Sequence, residues 1–382
     1  MRPDFDFFTI FVQGLSSIEV AVAVIGFVSA AAFAGLWATK LGRIILPQPQ
    51  ESRGADFLPF NKLMADGITI RCYNGSFARV FKVEGVDLSF VTDEKSLSMM
   101  EARKSWIDSM SDLQVVCRVI TLRERISMEA DSGDFGNQLL EQISMTWRNN
   151  LDRVYSNGHY IVLSVADRPE ALKDLNYASQ ALLATLNDYG VKPMFETEDS
   201  AAADSPLAIF SKICSPLSKP MPKVRGAEGY QLNELLTADH IHFTDEKGLI
   251  KFFSGDKEMF AIVMGIRSSG DYMDEGMIAS LLSIDCELTM LHNVKPIFKP
   301  HARALLMQQQ RMAAVTSFSP DVINQYSEAL SAIEDSDADY QALTEYAMDI
   351  IIKGETMEEI EFGESEVQRI CRLFSVTPVR EG

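Results

Sequence analysis

Ile68-Thr69-Ile70-Arg71-Cys72-Tyr73, then Asn74-Gly75, then Ser76-Phe77-Ala78-Arg79-Val80-Phe81-Lys82-Val83 sets two β-rich runs around a turn dipeptide. Asn-Gly between such runs predicts a β-hairpin, because a two-residue type I′ turn needs positive φ at both central positions. Outward from it the chain alternates. A helix is expected over about residues 94–110 (Leu97, Met100, Trp106, Met110) and a strand over Val115 to Leu122. Leu140, Ile143, Trp147, Leu151 and Val154 form a helical stripe read as core, followed by the strand Tyr160 to Val165. Pro169 opens a further helix carrying Leu172, Leu175, Ser179, Leu182 and Leu186, Gly190 stops it, and Val191 to Phe195 returns as a strand.

The same order is spelled again. After a stretch rich in Pro206, Pro216, Pro220 and Pro222, His240 to Phe243 and Leu249 to Phe253 read as a second hairpin. Phe260 to Arg267, a helix over 273–283, Glu287 to Leu291, helices over Lys299 to Val315 and Ser319 to Ile333, and Tyr346 to Ile352 follow. A last helix carries Met357, Ile360, Val367, Ile370 and Phe374, before a strand at Val376 to Val379. Corresponding elements lie roughly 170–190 residues apart, the spacing of an internal duplication. The fold class expected is α/β, of the α+β kind with mixed sheets: an N-terminal transmembrane helix followed by two similar α/β units. The boundaries expected are 1–46 membrane anchor, 47–56 linker, 57–196 first unit, 197–229 linker and 230–382 second unit.

The anchor is read at residues 20–39, an uncharged apolar stretch of 20 residues, just long enough to cross a ~30 Å hydrocarbon core. Asp4, Asp6 and Glu19 precede it and Lys40 and Arg43 follow it, so the positive-inside bias places the bulk of the chain in the cytoplasm after a single pass. An acidic leader and the length of the apolar run favour an anchor over a cleaved signal peptide. Gly26, Ala30 and Ala34 recur at i+4 and offer a smooth face for packing against another membrane helix.

Net charge is −19, and Asp and Glu crowd residues 328–366, where Lys353 is the single cation. Such a surface repels phosphate backbones, so direct nucleic-acid binding is not expected. Cys72, Cys117, Cys214, Cys286 and Cys371 are odd in number and without a Cys-x-x-Cys pair, and read as reduced, mostly buried thiols. No Gly-Lys dipeptide occurs, hence no phosphate-binding loop; catalytic, cofactor-binding and metal residues are all expected to be absent. His240 and His242 share one strand face without an evident third ligand, which leaves a bitopic metal-dependent hydrolase as the alternative enzyme reading. The basic set Lys295, Lys299, Arg303 and Arg311, with His301, is a candidate for a subunit interface against the acidic run of another copy, including Glu358, Glu359 and Glu361.

Asp56-Phe57-Leu58-Pro59-Phe60, Gly67, the turn Asn74-Gly75-Ser76-Phe77 and Phe81-Lys82-Val83-Glu84-Gly85-Val86-Asp87-Leu88 resemble the opening of the CagE/TrbE/VirB family of type IV secretion and conjugation ATPases. Leu281-Leu282, Phe298 to Arg303 and Gln308-Gln309-Gln310-Arg311 extend the resemblance over about residues 56–380. It implies the pre-motor region of such an ATPase at the bacterial inner membrane: a docking and oligomerisation domain whose partners are other secretion components and further copies of itself, in a hexameric or dimer-based ring. ATP and Mg are expected only with a motor that follows or comes as a partner. An unrelated membrane-anchored scaffold is the remaining alternative.

Overall fold

In the computed structural model, residues 54–381 are described, apart from 87–90, 127–136, 152–153, 198–200, 219–230, 245–247, 269–274, 316–319 and 335–342. The candidate span at 20–39, with Gly26, Ala30 and Ala34, lies outside the described residues. Among the described residues, no helix is long and apolar enough to cross a membrane.

Among the described residues, twelve strands form one sheet in which every pairing is antiparallel. The first six are β1 (Phe60–Leu63), β2 (Thr69–Cys72), β3 (Phe77–Val83), β4 (Val116–Arg125), β5 (Tyr155–Val165) and β6 (Val191–Pro193). The second six are β7 (His240–Phe243), β8 (Ile250–Ser254), β9 (Lys257–Ser268), β10 (Glu287–Pro296), β11 (Thr344–Gly354) and β12 (Thr377–Arg380). Their order is β1-β2-β3-β5-β4-β10-β11-β9-β8-β7, with β6 also on β3 and β12 also on β9. Strand n thus has its counterpart in strand n+6. Each half contains a split β-α-β-β-α-β arrangement, β6-β3-β5-β4 and β12-β9-β11-β10, extended by its own hairpin. The equivalent strands β4 and β10 pair with each other antiparallel, Ile120 opposite Leu291, so an approximate twofold passes through the middle of the sheet. The mixed sheets expected are corrected to one antiparallel sheet that runs through both halves.

Helices α1 (Asp93–Leu113), α2 (Gln138–Leu151), α3 (Ala171–Thr185), α4 (Ala208–Cys214) and α5 (Leu232–Leu236) belong to the first half and the segment after it. The second half carries α6 (Glu275–Leu281), α7 (Lys299–Val315), α8 (Pro320–Glu334) and α9 (Met357–Leu373). One face of the sheet carries two cores. Trp106 and Met110 of α1 and Leu175, Ala178 and Leu182 of α3 pack on Cys117, Ile161 and Leu163. Met277 and Leu281 of α6 and Ile360, Val367 and Ile370 of α9 pack on Ile262, Met264, Met290 and Ile350. Along β10, Leu288 and Met290 enter the second core and Val294, of the same strand parity, enters the first, so both cores share a face. Each fully buried Ile, Val or Leu of these stripes contributes about 1.5–3 kcal/mol relative to exposure.

The opposite face of the first half is covered by chain from between the halves. Leu207 and Ile209, at the start of α4, and Leu232 and Leu236 of α5 pack on Ile70, Val80, Ile120 and Val162. The 197–229 stretch, read from its prolines as a linker, therefore supplies part of a core. A guanidinium crosses within the first half: Arg79, nearly buried, donates from Nε to Thr69 Oγ1 at 2.9 Å and from Nη1 to Ser179 Oγ at 3.2 Å.

Two further sequence readings are corrected. The Asn74-Gly75 hairpin exists, but Gly75 N–H donates to Cys72 O at 3.1 Å, Cys72 N–H donates to Ser76 O at 2.8 Å, and positive φ falls on Gly75 (81°) and not on Asn74. That is a three-residue loop with a left-handed glycine after a tight turn, not type I′. Asn74 instead contributes its side chain, whose Oδ1 accepts from Ser76 N at 3.1 Å. Second, Leu140 and Ile143 of α2, read as core, are 45 % and 48 % exposed and belong to none of the described hydrophobic clusters.

Because β4 and β10 join the halves into one ladder, both halves should unfold together. In a urea titration, loss of the buried Trp106 environment in the first half and labelling of the buried Cys286 and Cys371 thiols in the second should share one midpoint. Two separated midpoints would show independent units. Gly363 in α9 supplies a second check. A Cβ there would sit 2.7 Å from Ile352 Cγ2 and 3.3 Å from Cys286 Sγ, atoms of short, buried side chains on β11 and just ahead of β10. Gly363→Ala should therefore lower stability by about 1 kcal/mol in denaturant melts, since overpacking of ~1–3 kcal/mol outweighs the ~1 kcal/mol helix gain.

Candidate functional site

Where β4, β5, β10 and β11 meet α9, the strand ends leave a cleft lined by Arg125, Tyr155, Asp285, Glu287, Lys353 and Glu359, among others. The ladders explain the grouping. Arg125 is paired with Tyr155 across β4 and β5, and Glu287 with Lys353 across β10 and β11. Glu287 Oε1 also accepts from Arg125 N at 3.0 Å, which ties the two halves at this end. Beside it, Arg123 donates from Nε to Ile284 O at 2.9 Å and lies 4.5 Å from the centroid of the Tyr155 ring.

Lys353 is only 4 % exposed. Burial pulls its ammonium below the usual lysine range, and Glu287 and then Glu124 work against that by favouring the charge. Glu124 is itself held by Lys212 of α4 at 2.5 Å. Burial pushes the Cys286 thiol up to about 12, so it stays protonated near neutrality and is a poor nucleophile. The Tyr155 hydroxyl is raised as well, first by burial and then by Asp285. The cleft thus holds one buried cation among several carboxylates, an arrangement suited to charge recognition.

The floor of α9 is built by its cap. Thr356 Oγ1 accepts from Glu359 N at 3.3 Å and Glu359 Oε2 accepts from Glu355 N at 2.8 Å, close to a capping box. Glu359, a residue of the expected subunit interface, thereby has a structural duty inside its own chain. Glu358 and Glu361 are exposed on the same helix, and acids in a first turn are favoured by the helix dipole.

The basic candidates sit at the other end of the sheet. Lys295 is near the end of β10, paired with Glu345 of β11 at 2.8 Å, and Lys299, Arg303 and Arg311 follow on α7. Glu287 and Lys295 are eight residues apart on one strand, roughly 26 Å at ~3.3 Å per residue. Within one chain the two charged sets are held apart. His240 and His242 are exposed on β7, at the sheet margin, and among the described residues no group of three His, Cys, Asp or Glu is placed to hold a metal ion. The five cysteines are unpaired, four of them buried. Sequence reasoning missed the cleft because its residues come from six separate elements; only the strand order brings them together.

The sign of the Lys353 shift gives a test. An ammonium with a depressed folded-state pKa is penalised while charged, and the penalty is relieved as pH rises from that depressed value toward 10.5. The stability difference between Lys353→Met and the parent chain, from thermal melts at stepped pH, should move in the parent's favour over that window. A pH-independent difference would mean that Lys353 titrates as an ordinary lysine.

No curated protein matches the chain. A family model matches residues 202–374, which run from just before α4 to the end of α9 and so contain α4, α5, the second half of the sheet up to β11, and the α9 side of the cleft. The hairpin motif at 56–88 lies outside that match. The matching model is that of the CagE, TrbE, VirB family, component of type IV transporter system, and over residues 202–374 the chain is similar to that family.

Proposed function

We propose that the chain is the membrane-docking and oligomerisation module of a type IV secretion or conjugative transfer ATPase, holding the motor at the bacterial inner membrane with its sheet on the cytoplasmic side. The observation that carries this reading is a continuous sheet with oppositely charged ends, acidic around α9 and basic around α7, within a chain that matches a type IV transporter component. A rigid platform with distinct ends can bind neighbours without consuming them. Many modest contacts held in fixed geometry then sum through effective concentration. The apolar 20–39 segment supplies the tether, and Gly26, Ala30 and Ala34 its packing face. ATP and Mg belong to a motor that follows in sequence or joins as a partner. Other secretion components and further copies of this chain are the partners, in a ring.

The test is fractionation and co-purification. The intact chain should stay in the membrane pellet after alkaline carbonate washing, and removal of residues 20–39 should move most of it to the soluble fraction. From detergent extracts of cells carrying a complete secretion machine, the intact chain should bring down a Walker-motif ATPase. A soluble intact chain, or one that isolates without such an ATPase, would overturn the reading.

A further inference from the structure

The α2 helix is amphipathic, and the described residues of its apolar side are uncovered. Leu139 is 65 % exposed, and Leu140 and Ile143 are nearly half exposed. The repeat makes this informative. At the equivalent position of the second half, between the second and third strands of the split unit, two helices cover each other: Ala302 and Leu306 of α7 pack with Tyr326, Ala329 and Leu330 of α8. The first half has α2 there, and its stripe joins no described cluster.

Position decides what can cover it. Only residues 152–154 separate α2 from β5, whose first residue Tyr155 lines the cleft, so α2 leaves the sheet at the cleft end. That end also presents Asp285, Glu355, Glu358 and Glu361. The opposite end carries α7, which has no Asp or Glu and bears Lys299, Arg303 and Arg311. On its exposed side Arg311 stands one turn from Val315, which is 83 % exposed. One end of the sheet therefore carries both an apolar stripe and carboxylates, and the other both an apolar residue and cations. A bilayer fits α2 poorly: the helix contains no lysine and a single arginine, Arg148, whereas helices that lie on membranes carry basic polar faces.

From this we infer a head-to-tail contact between copies: the exposed side of α7, with Arg303, Arg311 and Val315, seats on the end of a second copy formed by the α2 stripe and the first turn of α9. The inference rests on the oligomerisation reading above and names its surface. Such a contact is heterologous, using different patches on the two partners, and repeated copies close into a ring or run on as a filament.

Single-cysteine additions test it in the full-length chain in detergent. Ile143→Cys and Val315→Cys, each alone, should give no cross-linked dimer with a flexible bismaleimide above the parent background, and their mixture should give one. Dimers from Ile143→Cys alone would mean that α2 pairs with α2, and no dimer from the mixture would mean that the two surfaces do not meet; either overturns the contact. Protection of the Ile143→Cys thiol by lipid vesicles and not by added protein would assign the stripe to a bilayer, and also overturns it. In sedimentation, Arg303→Glu/Arg311→Glu and Glu358→Arg/Glu361→Arg should each weaken self-association about tenfold, and mixing the two variants should restore it. Unchanged self-association in both variants sinks this contact and leaves the oligomerisation reading standing. A parent chain that stays monomeric sinks both.

Discussion

The antiparallel pairing of β4 with β10 is the interaction on which the molecule depends. Leu288 to Val294 run against Arg123 to Cys117, and each residue of that stretch is matched across the seam. Without it the halves would be two smaller sheets, each exposing a long central-type strand whose backbone groups need partners. With it, the cores on the helical face become neighbours, Val294 of the second half packs with the first core, and Leu291 packs with the core on the other face. The seam also brings Arg125 to Glu287 and assembles the cleft. Fold, site and the opposition of charged ends all follow from one strand pairing.

The sequence carries this architecture unevenly. The duplication is legible because matching elements recur at nearly constant spacing: Val116 and Glu287 open one matched pair of strands, Val191 and Thr377 another. Strands β5 and β11 and the helices α1, α3 and α9 are legible because burial imposes a period of two or of 3.6 on the apolar residues. The seam is not legible, since strand pairing between distant segments leaves no local pattern. Proline marked 197–229 as a linker, yet Leu207 and Ile209 show that a short helix can hide among prolines and still fill a core. At Asn74 the dipeptide signalled a turn, but the neighbouring residues chose which one. In α2, periodicity reported amphipathicity faithfully and said nothing of what would cover the apolar side.

The candidate site is legible only in fragments. The acids of α9 and the cations of α7 are visible as charge runs, and the ladder adds what a run cannot: they occupy opposite ends of one strand pair. Lys353 is the instructive residue. In sequence it is a lone cation in an acidic tract, where solvation is the obvious fate; in the fold it is buried opposite Glu287, and the acids around it oppose the desolvation that lowers its pKa. Glu359 teaches the converse, since a residue that looks like free surface charge is occupied in accepting from the Glu355 N–H just ahead of its own helix.

The outermost strands of the sheet path are β1 and β7, each four residues long and each the first strand of a hairpin. A sheet this wide, had it long straight margins, would be a template for indefinite lateral growth by backbone hydrogen bonding. Four-residue borders give an incoming strand too few amides to hold, which guards the sheet against coalescing into fibrils.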